Sequence, residues 1–361
     1  MRYPEAAKLD IVEELAGHKV ADPYRWLEDH EDPEVRRWLA EQAELYASHL
    51  GRWTERDRIR ERLEVLTPGS VGLPRVRGER IFLPRRQKGQ DQAVWMAIDP
   101  SGAERVVLDP ADLSDDGTVV LQWASPSMDG RHLAYAVDEG GREEVIVRII
   151  EVETGADVGP PLQLGRGGAV AWMEGSSGLV LVSTLPDLPK EEAAFHRRVW
   201  RLPLGAGRED AELLFGEGRD RTTYYGVGVS ADGRWLTVSC SLGTAPRNDL
   251  YLCDLLEPEL TFRPVLEGVD AEAGGQVAAD GRLWLWTSVE APRGRLVTAD
   301  PLSPTDWHEV VPEGPDPLSD WQLTDSALFV AWQRDVASAI TVHDRATGAQ
   351  VGEVALPGLG S

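Results

Sequence analysis

The side chains of this chain that could do chemistry are one serine in a suggestive pentapeptide, seven histidines, two cysteines and a few paired carboxylates. The nearest approach to a nucleophile elbow, Gly-x-Ser-x-Gly, is Gly228-Val229-Ser230-Ala231-Asp232. It ends in Asp and interrupts alternating apolar residues, which predicts strand-turn-strand where an elbow needs strand-turn-helix. A Ser-His-Asp triad also needs a histidine fixed beside the serine. The histidines are scattered, only His196 falls in a stretch that reads as a loop, and none is assignable as a base. Neither His18 with His30 nor His308 with His343 has the spacing of a metal-ligand pair. Glu143-Glu144 and Glu191-Glu192 read as solvated loop charge, and Gly165-Arg166-Gly167-Gly168 precedes a strand, so it lacks the helix N-terminus of a phosphate cradle. Cys240 and Cys253 fall on adjacent strands of one predicted hairpin without facing each other, which reads as two buried free thiols. No residue reads as catalytic, and no metal or cofactor is expected.

Composition excludes further classes. A chain of 361 residues with 42% hydrophobic and 27% charged residues is an ordinary globular composition. Its net charge of -24 argues against nucleic acid, whose phosphates need Lys and Arg, and against anionic membrane surfaces. No run approaches the ~18 apolar residues of a membrane span, and the first ten residues carry no apolar secretory core. With two cysteines and no disulfide framework, the expected compartment is the cytoplasm.

The elements that must position any site divide near Thr67-Pro68-Gly69. Before that point the pattern is helical. Asp32-Pro33 offers an N-cap followed by proline at the first helical position, and Val35, Trp38, Leu39, Ala43, Leu45 and Tyr46 follow a period near 3.6. A second helix is expected over 54–66, with Ile59, Leu63 and Leu66 on one stripe.

After Gly69 a module recurs: a strand, a tight turn, a strongly apolar second strand, a third strand, a polar turn and a fourth strand. The first turns are Arg77-Gly78-Glu79, Met128-Asp129-Gly130, 174–178, Ala231-Asp232-Gly233, Ala279-Asp280-Gly281 and Thr324-Asp325-Ser326. Asp-Gly between alternating apolar runs is a strong hairpin signal. Four strands recurring every roughly 44–55 residues describe the blades of a β-propeller. Six are expected, at about 69–115, 116–165, 166–217, 218–268, 269–314 and 315–361, following a helical segment over 1–68. The 13 tryptophans, Trp123, Trp172 and Trp286 among them, are expected to fill the layers between blades.

The segment His18-Lys-Val-Ala-Asp-Pro-Tyr-Arg-Trp-Leu-Glu-Asp29, with Tyr3-Pro4 before it and Glu34-Val35-Arg36-Arg37-Trp38 after it, resembles the N-terminal signature of the prolyl oligopeptidase family of serine peptidases. Its Arg25, between acidic residues, reads as buried. Residues 226–235, 243–252, 307–313 and 342–361 are similar to blades of the same family in the same order, so the likeness covers the whole chain. Trp26-Leu27-Glu28-Asp29 points to the prolyl oligopeptidase branch over its oligopeptidase B relatives.

The resemblance implies a mainly β fold, a propeller of the prolyl oligopeptidase type with six of seven blades present, preceded by the short helical segment. In the family the propeller covers an α/β-hydrolase domain that bears Ser, Asp and His, and its channel admits short peptides. The expectation is therefore a gating portion of a peptidase of short proline-containing peptides, without a catalytic triad in this chain. Its implied partners are short peptides and a missing or separately encoded hydrolase domain. Tyr24, Trp26, Leu27, Trp38 and Leu39 are the expected docking residues for that domain. In several family members an aromatic just before the strand Ala169-Val-Ala-Trp172 lines the substrate pocket; here that position falls in Gly165–Gly168. Thr244 and Arg247, in the loop 243–248, are the expected substrate-gating candidates. The alternative is a stand-alone propeller that binds a peptide or protein partner.

Overall fold

The computed structural model describes residues 3–189 and 192–360, so Glu191 lies outside the described residues. Two compact units divide the chain: Met1–Gly69 with Gln87–Gly89, and Ser70–Arg86 with Gln90–Ser361.

In the first unit, strands β1 (Val12–Leu15) and β2 (His18–Ala21) pair antiparallel. Ala16 and Gly17 between them both have positive φ, the requirement of the tight turn that matches strand twist. The signature segment thus begins as a strand where a helical pattern was expected. It then passes through a short 3-10 turn, Arg25–Glu28. Arg25 is not buried: its guanidinium reaches Glu13 at 3.1 Å and Glu28 at 2.8 Å with nearly half its side chain exposed. Two carboxylates within reach hold it at the surface, where its charge stays hydrated.

Helix α1 (Pro33–Leu50) starts where Asp32 accepts a hydrogen bond from the Glu34 N–H at 2.7 Å, satisfying one orphan donor of the first turn. In α1 only Val35 is fully buried, while Ile59, Leu63 and Leu66 of α2 (Arg56–Leu66) stand exposed.

The second unit is a six-bladed β-propeller. Blade 1 holds β3 (Gly69–Val71), β4 (Arg75–Arg77), β5 (Arg80–Gln87), β6 (Val94–Ile98) and β7 (Glu104–Leu108), with β3 and β4 both pairing β5. Blade 2 holds β8 (Val119–Pro126), β9 (His132–Glu139), β10 (Val145–Glu151) and β11 (Leu162–Gly165). Blade 3 holds β12 (Ala169–Trp172), β13 (Gly178–Thr184), β14 (Arg197–Pro203) and β15 (Glu212–Phe215). Blade 4 holds β16 (Thr223–Val229), β17 (Trp235–Leu242), β18 (Asp249–Asp254) and β19 (Arg263–Leu266). Blade 5 holds β20 (Ala273–Val277), β21 (Leu283–Thr287), β22 (Arg295–Asp300) and β23 (Ser303–Val311). Blade 6 holds β24 (Leu318–Leu323), β25 (Leu328–Arg334), β26 (Ala337–His343) and β27 (Gln350–Val354).

Each blade is an antiparallel meander whose two faces are both apolar, and consecutive blades share a core. Phe82, Trp95 and Leu108 of blade 1 pack on Leu133, Tyr135 and Val137 of blade 2. The opposite face of β9, Ala134 and Ala136, packs with Trp172, Leu179 and Leu181 of blade 3. Val180 and Val182 meet Leu236 and Val238, Leu250 and Leu252 meet Leu283 and Leu285, and Trp284 meets Leu328, Val330 and Trp332. Trp123, Trp172 and Trp286 all lie in these layers. On the terminal blades, Leu83, Val94 and Met96 form a small cluster of their own, and Phe329, Ala331, Ile340 and Val342 are only partly buried.

The first turns of blades 2 and 4 are braced alike. The Ser127 hydroxyl donates to Asp129 at 2.7 Å and accepts from the His132 N–H; Ser230 does the same with Asp232 at 2.5 Å and the Trp235 N–H. Ser230 is therefore a buried turn brace. At the junction of blades 1 and 2 the Gly78 N–H donates to Met128 O at 3.0 Å, and a Cβ on Gly130, at φ +70°, would stand 2.5 Å from Arg77 O. The two turns touch backbone to backbone, which only glycine permits.

Candidate functional site

In a propeller the first strand of each blade lies nearest the axis and its edge lines the central channel. The loops joining second to third strands, together with the links between blades, then share one rim. On that rim, a hollow of about 570 Å³ is lined by Gln122, Asp138, Gly141, Glu143, Val145, Arg166, Gly167 and Tyr224. Blade 2 supplies the first five, the link from blade 2 to blade 3 the next two, and β16 the tyrosine. Gln122 and Tyr224 both belong to first strands, and Gln122 sits at a bulge where the pairing of β8 with β9 slips.

Tyr224 is held from behind. The Arg197 guanidinium lies 4.0 Å from the centre of its ring, and Arg197 Nε donates to the carbonyl of Arg166 at 2.7 Å. Arg197 is 1% exposed, and burial pushes its guanidinium down from the ordinary value while Tyr224 opposes that shift. The cation–π contact and one carbonyl compensate part of the desolvation; Arg197 Nη2 has no hydrogen-bond partner. Gly167, at φ +75°, makes this possible, because a Cβ there would come within 3.0 Å of Arg197 Nε. Where several family members are expected to carry an aromatic in the link, this chain has glycine in the link and an aromatic from the first strand of blade 4.

The acidic wall is built on β9. By the two-residue alternation of a strand, Asp138 continues the stripe of Ala134 and Ala136 to the rim. Asp138 is 5% exposed; its Oδ2 accepts from the Glu143 N–H at 3.1 Å, while its Oδ1 has no partner. Glu143, at φ +58°, turns its carboxylate onto the Arg166 guanidinium. Glu143, expected as plain loop charge, instead closes one side of the hollow.

Further round the rim, Glu192 takes hydrogen bonds from Arg221 and from His196 at 3.0 Å, and these, Arg221 first, hold its carboxyl below the usual range. Arg219 donates to the Tyr251 hydroxyl at 2.6 Å, which itself bonds Glu267; burial and Glu267 push Tyr251 up to about 12.

The expected gating pair lies apart from the hollow. Thr244 and Arg247 are both exposed in the loop between β17 and β18; Arg247 stands 3.8 Å from Asp270 and borders a separate recess of about 300 Å³ with Cys240, Asn248 and Asp249. Cys240 and Cys253 are buried free thiols in different pairs of the β17–β18 ladder, Cys240 opposite Asp249 and Cys253 opposite Leu236.

Of the five docking candidates, Tyr24 and Leu39 are exposed and Leu27 is half-buried. The Trp26 indole donates to Ala7 O at 2.8 Å, and the half-buried Trp38 leaves its indole N–H without an acceptor. Among the described residues no group of three or more His, Cys, Asp or Glu could hold a metal ion, and no helix is long and apolar enough to cross a membrane.

The family model described as "Prolyl oligopeptidase, N-terminal beta-propeller domain" matches residues 3–361. The chain is 29% identical to the prolyl endopeptidase of Elizabethkingia miricola, over all of this chain and 51% of that protein. It is 27% identical to the prolyl endopeptidase of Elizabethkingia meningoseptica, again over all of this chain and 51% of the relative. Among solved structures, a prolyl endopeptidase superposes with TM-score 0.85 at 30% identity, covering all of this chain and 54% of that one. Prolyl oligopeptidase B from Galerina marginata shares the fold, with TM-score 0.81 at 19% identity, over 99% of this chain and 54% of that one. The chain spans about half the length of the curated relatives it matches.

Proposed function

Because the chain belongs to the prolyl oligopeptidase family through the propeller domain that spans residues 3–361, we propose that it is the gating half of a peptidase of short proline-containing peptides. The chemistry belongs to a triad-bearing hydrolase domain, and the propeller's task is to admit and orient the peptide. The observation that carries this reading is the match along the whole chain, in a domain whose one elbow-like serine is buried in a turn. The hollow at the channel mouth supports the orienting role, since it combines an aromatic wall, a buried carboxylate and an arginine–glutamate pair at the inner edge of the blades. Tyr24, Trp26, Leu27, Trp38 and Leu39 are proposed to face the hydrolase domain, and Thr244 and Arg247 to lie along the path of the peptide. Two buried unpaired cysteines fit a reducing compartment such as the cytoplasm.

The test is turnover of a short proline-containing peptide by the purified chain, with and without a separately expressed family hydrolase domain. The chain alone should give none, and the mixture should cleave an eight-residue peptide while sparing a folded protein that contains the same sequence. Turnover by the chain alone, or equal cleavage of both substrates by the mixture, would refute the gating role.

A further inference from the structure

The hollow at the channel mouth contains a buried carboxyl group whose hydrogen bonds the protein does not complete. Asp138 is 95% buried by its 5% exposure, yet only its Oδ2 is bonded, and that to a backbone N–H. Leaving a buried carboxylate oxygen without a donor is costly, more so than for a neutral group. Among the described residues no arginine, lysine or histidine forms an ion pair with Asp138. Arg166 on the same wall is taken by Glu143, and Arg197 is stacked on Tyr224 and does not line the hollow. The lining therefore holds two carboxylates to one guanidinium, beside an aromatic ring and the exposed amide of Gln122.

We infer that this hollow is a subsite for a cationic N–H group of a bound peptide, the ammonium or guanidinium of a basic side chain or a free α-amino terminus. Such a group supplies the missing donor to Asp138. It also brings a positive charge against the Tyr224 ring and is drawn in by the acidic field of a protein of net charge -24. A volume of about 570 Å³ holds one long side chain with its flanking backbone. Arg166 acts as the competitor: while it is paired with Glu143 it withholds the second carboxylate from the ligand.

The inference rests on the reading of this rim as a peptide mouth, and the experiment separates the two. Three tripeptide amides are titrated into the chain at low ionic strength: acetyl-Lys-Ala-Pro, acetyl-norleucine-Ala-Pro, and norleucine-Ala-Pro with a free amine. At least one cationic peptide should bind about tenfold or more tighter than the capped norleucine peptide. A preference for the first identifies a side-chain subsite, and a preference for the third a terminus subsite. In Asp138→Asn the preference should fall to within about twofold. Arg166→Gln, a change at an exposed side chain, should raise the preference by about threefold by releasing Glu143, and it decides the matter if Asp138→Asn does not fold. Equal binding of all three peptides, a preference that survives Asp138→Asn, or one unmoved by Arg166→Gln overturns the inference. Absence of saturable binding by any of the three sinks the peptide-mouth reading itself.

Discussion

Asp138, which lines the hollow, and Arg197, which stacks on the hollow's Tyr224, are opposite solutions to burying a polar side chain. Arg197 is compensated by a ring and a carbonyl; Asp138 keeps one oxygen in want of a donor. The sequence carried a faint signal for the aspartate, because alternation places it on the apolar stripe of Ala134 and Ala136, where an acid is out of character. It carried none for Arg197, whose ring partner arrives from another blade. The thiols were legible as free and buried, and burial has a measurable consequence. It pushes Cys240 up to about 12 and Cys253 up to about 11, so at pH 8 both are thiols and not the reactive thiolates. Alkylation at pH 8 should leave both untouched in the folded protein and modify both in denaturant. Rapid labelling of either in the native state would contradict this burial.

At the scale of elements, strands with strong turn signals announce themselves and short polar ones do not. The Asp-Gly turns of blades 2, 4 and 5 fell where the sequence put them, since each is followed by a strongly apolar strand. The β1–β2 hairpin did not show, because its strands are four residues long, β1 contains paired glutamates and nearly every residue of both is exposed. Likewise Arg25, between acidic residues, read as buried, when two glutamates keep it at the surface. The backbone contact between the first turns of blades 1 and 2 makes a specific prediction. Gly130→Ala needs a left-handed conformation and meets Arg77 O, which should cost about 1–3 kcal/mol and lower the urea midpoint accordingly. An unchanged midpoint would mean that the two turns separate freely.

Across the whole molecule, stability depends on blades that share cores and on carboxylates that are held ionised. The buried Asp254 is bonded by Arg234 at 2.6 and 2.9 Å, and that hydrogen bond, the largest cause, lowers its pKa. A carboxyl depressed in the folded state stabilises it above the unfolded value near ~3.9 and loses that contribution as pH falls through the folded value. Arg234→Met should therefore lower the urea midpoint at pH 7, modestly because Arg234 is half-exposed. The difference from the parent chain should begin to shrink below pH ~4 and reach zero only below the depressed folded value, where Asp254 is protonated in both. Urea midpoints at pH 7 and pH 3 check this, and an equal loss at both would show that packing, and not charge, is what Arg234 contributes.

The sequence by itself determined the blade count, the turn positions and the family, because these rest on local alternation, turn chemistry and a contiguous N-terminal signature. It also ruled out a nucleophile elbow, and the fold adds the reason: Ser230 bonds Asp232 within its own turn. Only the tertiary structure decided how the hollow is assembled. The expected gating pair, Thr244 and Arg247, came from one loop, whereas the hollow is assembled from blade 2, the link to blade 3 and the first strand of blade 4. Blades stack through side chains far apart in the chain, so a site at their rim has no spacing that a sequence could display.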